Sequence, residues 1–300
     1  MRKLQLIQLY SYVEALYDDL LRYYCEHHNI NQSTPDFTDI DLITTYLYMT
    51  AWEKRCAVKS VYECTRDHYL DWFPDLPSYQ AYNRWLNALN QLFPLLIRSL
   101  ACRWRLRCPH NLSDWFAGDS MPIITCSGKR KAKVALEMCD KAFNSTKSMW
   151  YHGIKLHSIN QLCQGELPRP DALLLSAASE HDLNANRELL QTYADKNVFL
   201  DKALTDKDLE AYFEKKGGAL MLPIKYHRGH TKAHRQRHEA ADNLYSTAVS
   251  KVRQPIESFF NWLIERTGIQ ASKVRSTKRL LVHTFGKFAA AMAWNVFGGA

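Results

Sequence analysis

Apolar residues recur at intervals of three and four along the first hundred residues, the spacing of one helix face. Leu6, Tyr10, Val13, Tyr17, Leu20, Leu21 and Tyr24 predict a helix over 4–28. A polar stretch, Asn31 to Asp36, reads as a loop. Further helices are predicted over 39–50 and 55–71, the latter ended by Pro74 and Pro77. Ser78 is a good N-cap for a helix over 79–104, which Pro94 is expected to split. Residues 1–107 therefore read as an all-helical N-terminal region. The pattern changes after Asp114. Short apolar or alternating runs predict strands over 120–126, 151–159, 171–176, 197–201 and 218–224. Amphipathic runs predict helices over 182–194, 206–215 and 239–266. Three strands followed by helix–strand–helix–strand–helix describe an α/β domain over 108–300, a mixed sheet flanked by helices.

The charge distribution adds a partner to this picture. The 300 residues carry a formal charge of +8. Residues 1–100 hold 9 Lys and Arg against 12 Asp and Glu, whereas residues 101–300 hold 30 against 19. The basic excess belongs to the second part and implies a polyanion there. One basic run, 225–238, has Lys225, Arg228, Lys232, Arg235, Arg237, four His and no acid. It reads as a loop touching a nucleic-acid backbone, with histidine-based metal binding as the alternative. Lys273, Arg275, Lys278 and Arg279 form a second cluster that either grips DNA or is a solvated surface. Residues 78–85 read either as a DNA-recognition helix or as a packing helix. No apolar run reaches membrane-spanning length, and the N-terminus lacks a secretory apolar region. The eight cysteines include no Cys-x-x-Cys pair, which fits free thiols in a reducing cytoplasm.

Three acids stand out as candidate chemistry. Asp119 sits in the β-prone run Trp115–Cys126, either solvated in a turn ahead of a strand or paired with a cation such as a metal ion. Pro122 favours an edge or a strand end. Asp201 closes the run Val198-Phe199-Leu200, at a strand end where α/β sheets place their chemistry. Arg253 and Glu257 stand four apart on one helix face, the spacing also of an ordinary exposed ion pair. Pro255 between them predicts a helix start or a kink.

In this order and spacing, the motifs resemble the DDE transposases of bacterial insertion sequences. The likeness runs from about Gly118 to Trp294. Asp119 with Ser120 and Pro122 looks like the family's first aspartate, on the first strand. Tyr151 to His157 looks like its tyrosine–glycine–lysine–leucine–histidine run, and Ser179-Glu180-His181-Asp182 like its short turn ending in aspartate. Asp201-Lys202-Ala203 falls at the second aspartate, and Arg253 with Glu257 matches the arginine and glutamate separated by three residues. Ser250, Ile264, Ala203 and Leu204 depart from the residues some branches carry nearby; Lys202 and Lys251 are the candidate replacements for phosphate contacts.

The resemblance implies an RNase H-like fold and metal-dependent cleavage and strand transfer of DNA. It implies two Mg²⁺ ions, with Mn²⁺ able to substitute, held by Asp119, Asp201 and Glu257. Arg253 would hold Glu257 or a phosphate, and Asp182 and Asp206 are the competing acids. The implied partners are transposon terminal inverted repeats and target DNA, bound by a homodimer. The implied location is the bacterial cytoplasm, at the nucleoid. The rival readings are a metal-dependent nuclease on the same fold and an inactive, domesticated DNA-binding protein.

Overall fold

The computed structural model describes residues 2–25, 36–107, 112–145, 147–224 and 232–298. Its helices are α1 (Arg2–Leu16), α2 (Arg22–Cys25), α3 (Asp39–Ala51), α4 (Val58–His68), α5 (Tyr79–Ala88), α6 (Leu92–Arg107), α7 (Asp182–Gln191), α8 (Lys207–Lys216), α9 (Lys232–Thr267), α10 (Thr277–Leu281) and α11 (Lys287–Phe297). Its strands are β1 (Leu112–Ser127), β2 (Asp140–Asn144), β3 (Met149–Cys163), β4 (Arg169–Ala177), β5 (Asn197–Phe199) and β6 (Ala219–Met221). Packing gathers residues 1–107, 131–137 and 263–300 into one unit and residues 108–130 and 138–262 into another.

The first unit is helical. Residues 42–51 of α3 are buried all round, so α3 is its central element. Thr38 and Asp41 form a reciprocal capping box at its start, which satisfies two otherwise orphaned donors. Ser78 caps α5 as expected, its side chain accepting from the Ala81 amide. The expected helix over 79–104 breaks at the 3₁₀ turn Leu89–Gln91, ahead of Pro94. Pro94 is the third residue of α6, in the first turn, where its missing N–H has no helical partner to lose. Residues 263–300 were expected with the sheet, yet they group with the N-terminal helices. The cause is α11, which is apolar on nearly all sides and buries Phe288, Ala290, Met292 and Val296 against α3 and α6.

The second unit is the mixed α/β sheet. The strand order is β2-β3-β1-β5-β6, with β4 also on β3. β3 is antiparallel to β1, β2 and β4, whereas β1, β5 and β6 run parallel. β2 and β4 share one edge of β3, at residues 149–153 and 154–161 respectively. Leu190 of α7 and Leu209 and Phe213 of α8 pack onto Phe116, Ile159 and Val198 of the sheet. Gly217, at φ 88°, ends α8 in the left-handed conformation expected of its glycine pair.

Several sequence expectations are corrected here. β1 begins at Leu112, not at 120, so Asp119 lies inside the strand and not in a turn before it. β2 was not anticipated; it is held by pairing with β3 and not by a strong pattern of its own. Residues 225–231 lie outside the described residues, and 232–238 open α9 and do not continue a loop. Helix α9 runs unbroken through Pro255, so no helix starts there. The proline withdraws one N–H from the ladder, and the buried Ile256, Phe259, Phe260 and Leu263 anchor the helix around it.

Candidate active site

The register of two parallel strands decides where the first two acids meet. Ala117 of β1 is opposite Phe199 of β5. Asp119 and Asp201 each lie two residues further on, Asp119 still within β1 and Asp201 just past the end of β5. Both line one cavity of about 40 Å³, together with Ser120, His157, Asp182 and Asn186. The pairing of β1 with β5 ends at Ala117, so beyond it that edge of β1 has no strand neighbour. The free edge opens the cavity, and it also accommodates Pro122, which cannot donate to a ladder.

Helix α9 supplies the third acid through an arginine. Arg253 Nη1 donates to Asp119 Oδ2 at 2.8 Å, and its Nη2 donates to Glu257 Oε1 at 2.5 Å. The fork thus ties the strand acid to the helix acid. Asp119 Oδ1 accepts the Ser120 amide at 2.8 Å. Burial nevertheless pushes the Asp119 carboxyl up to about 6; Arg253 and the Ser120 amide oppose the rise, and the charges of Asp201 and Glu257 add to it. Asp119 is 26% exposed and Glu257 54%, so the site opens on the Glu257 side.

The competing acids separate cleanly. Asp206 is the N-cap of α8: its Oδ1 accepts from the amides of Asp208 and Leu209 at 2.9 and 3.1 Å, while its Oδ2 pairs with Arg187. Asp182 lines the cavity but is engaged twice, by Ser120 Oγ at 2.9 Å and by Lys155 Nζ at 2.7 Å. Burial alone would raise its carboxyl; the hydrogen bond and charge of Lys155 outweigh that and hold it below the usual range. His157 is buried between Ser176 Oγ and Asn186 Nδ2, each 2.8 Å away. An amide nitrogen only donates, so Nδ1 accepts and Nε2 carries the proton. Burial holds this imidazole down at about 4 and keeps it neutral. Sequence reasoning passed over Asn186; the signal was its place four residues after Asp182, one turn along α7, where its Nδ2 also reaches the Asp182 carbonyl at 2.7 Å.

This geometry meets an independent finding. The family model for a transposase DDE domain matches residues 116–295. The chain belongs to that family. No curated protein and no solved structure matches it. As a DDE transposase, it is a polynucleotidyl transferase kind of enzyme that acts on DNA in transposition, and its mixed sheet is the RNase H-like catalytic fold. No helix among the described residues is long and apolar enough to cross a membrane.

DDE transposases generally use divalent metal ions. The donor chemistry here fits: three carboxylates without nitrogen or sulfur suit a hard cation. Asp119 and Asp201 line one cavity, and the charges of Asp201 and Glu257 add a small part to the rise that burial causes in the Asp119 carboxyl. Arg253 supplies the positive charge between Asp119 and Glu257, and among the described residues no three acids, His or Cys are gathered as one ligand set.

The candidate DNA contacts of this transposase are dispersed. Lys202 is exposed on the turn after Asp201. Lys251 shares an open polar groove on α9 with Ser250, Arg253 and Glu257. Lys232, Arg235 and Arg237 lie on the first turns of α9, and Lys225 and Arg228 lie outside the described residues. Lys273 and Arg275 are exposed in the helical unit.

Proposed function

We propose that this transposase cleaves DNA at the terminal inverted repeats of its element and transfers the ends into target DNA, with Asp119, Asp201 and Glu257 as the catalytic acids. The observation that carries the reading is the cavity that Asp119, within β1, and Asp201, just past the end of the parallel β5, line together, with Glu257 linked to Asp119 by Arg253. The three acids would hold two Mg²⁺ ions, or Mn²⁺ in their place, which supply activation of the attacking oxygen and neutralisation of the leaving one. Arg253 orients Glu257 and presents a fork suited to a phosphate. Lys202 and Lys251 flank the acids and would neutralise the DNA backbone beside them; Lys225, Arg228, Lys232, Arg235, Arg237, Lys273 and Arg275 would extend the track. The enzyme would act at the nucleoid, as a homodimer that pairs two element ends.

The test is Asp201→Asn. Asparagine keeps the shape of the side chain and loses the charge that retains a cation. Cleavage and strand transfer should fall together by at least about a thousandfold, since metal assistance is worth several kcal/mol and each ~1.36 kcal/mol is tenfold. DNA binding should persist, because it rests on Lys and Arg. An active Asp201→Asn enzyme overturns the assignment. Pre-cut ends supply the second arm: cleavage without joining of such ends identifies a nuclease on the same fold instead.

A further inference from the structure

The helical unit contains a cavity of about 390 Å³ between α4, α5 and the segment from Gly268 to Lys287. Its polar wall is one-signed. Lys59, Lys273, Arg279 and Lys287 line it, and no Asp or Glu does. Lys287 differs from the other three, being 4% exposed. Its Nζ donates to the Gly268 carbonyl at 3.2 Å, and among the described residues no carboxylate pairs with it. An ammonium has three donors, so two remain for another acceptor. The arrangement around it is built: Gly268 sits at φ 60°, a conformation side chains rarely adopt, and turns that carbonyl toward Lys287 at the end of α9. Burial lowers the Lys287 ammonium to about 8, which leaves it charged at neutral pH. His283, on the same wall, is engaged with the Ile269 carbonyl at 2.8 Å and adds no charge.

A buried cation without a counter-charge is costly in the free protein, and an anion seated beside it removes that cost. Three exposed cations at the same cavity define where such an anion enters. We propose that this cavity is a phosphate-binding site, which in a transposase seats a backbone phosphate of bound DNA. The identity of the phosphate as DNA rests on the function proposed above; the site itself does not. The same chemistry would accept free phosphate, so the two sources are distinguished by experiment.

The full-length protein is tested with inorganic phosphate and, separately, with duplex DNA. Phosphate should raise the unfolding temperature of the wild type beyond chloride at equal ionic strength, and Lys287→Met should abolish that increment. Lys287→Met should also lower the slope of log K against log salt for DNA by about 0.9, one phosphate contact. Arg279→Ala and Lys273→Ala, both at exposed positions, carry the same test should the buried substitution fail to fold. Loss of the phosphate increment with an unchanged DNA slope assigns the site to a free phosphate. No phosphate increment in the wild type, together with an unchanged slope in the variants, overturns the proposal. A wild type that responds to phosphate but binds no DNA sinks the transposition reading and leaves the cavity standing.

Discussion

His157 should make the sheet unit acid-sensitive in a defined window. The imidazole is 1% exposed, and burial lowers it from the ordinary 6.5 to about 4. In the unfolded chain it takes a proton as pH falls through 6.5; in the folded chain it resists until about 4. Between those values the unfolded state binds more protons, so stability falls as pH falls, and below about 4 the loss is complete. At 1.36 kcal/mol per pH unit, the gap corresponds to about 3 kcal/mol, a large share of a typical total of about 5–15 kcal/mol. Protonation would also turn Nδ1 from acceptor to donor against Asn186 Nδ2, a nitrogen that only donates. His157→Gln offers a non-titrating carbonyl and amide in its place. Urea unfolding of both proteins from pH 7 to 4, without metal, should show the wild type losing about 3 kcal/mol more than the variant over that range. His283, lowered to about 3, contributes loss of the same sign to both proteins, so only the difference between the curves reports on His157. Parallel stability curves would refute the reasoning.

Three further outcomes follow from the same geometry. Gly153→Ala should destabilise the sheet by roughly 1–3 kcal/mol or more, because an added Cβ would lie 2.0 Å from the Ile123 carbonyl oxygen on β1; an unchanged denaturation midpoint would show that β1 and β3 are not so close. Asp206→Asn should leave DNA cleavage in Mg²⁺ within a few-fold of wild type and cost about 1 kcal/mol or less, since asparagine still caps α8 and only the pair with the 41%-exposed Arg187 is lost; a folded but inactive variant would return Asp206 to the candidate catalytic acids. Neutralising Arg228, Lys232, Arg235 and Arg237 together should weaken DNA binding across sequences and lower the salt slope by about 0.9 for each phosphate left without its cation; a salt titration with an unchanged slope would place the DNA elsewhere.

What was legible in the chain was local. Periodicity marks the helices of residues 4–107 because one buried face repeats every turn, and Ser78 and Gly217 mark helix ends because their backbone preferences act within a few residues. The order of Asp119, Asp201, Arg253 and Glu257 and the motif between them was enough to point to the family, since the residue types that chemistry needs are written in the sequence itself. The tertiary structure decided what depends on partners distant along the chain. β2 exists because β3 offers it an edge, and β1 starts at Leu112 because its pairing with β3 outlasts its apolar run. The grouping of α11 with α3 and α6 follows from which apolar faces meet, a property of no single segment. Asp206, as eligible as Asp201 by type and place, is spent on a helix cap and an ion pair. Asp119 becomes a neighbour of Asp201 only through the register of β1 on β5, and of Glu257 only through the reach of Arg253 across 134 residues of chain, because hydrogen-bond register and side-chain reach are set by the folded backbone.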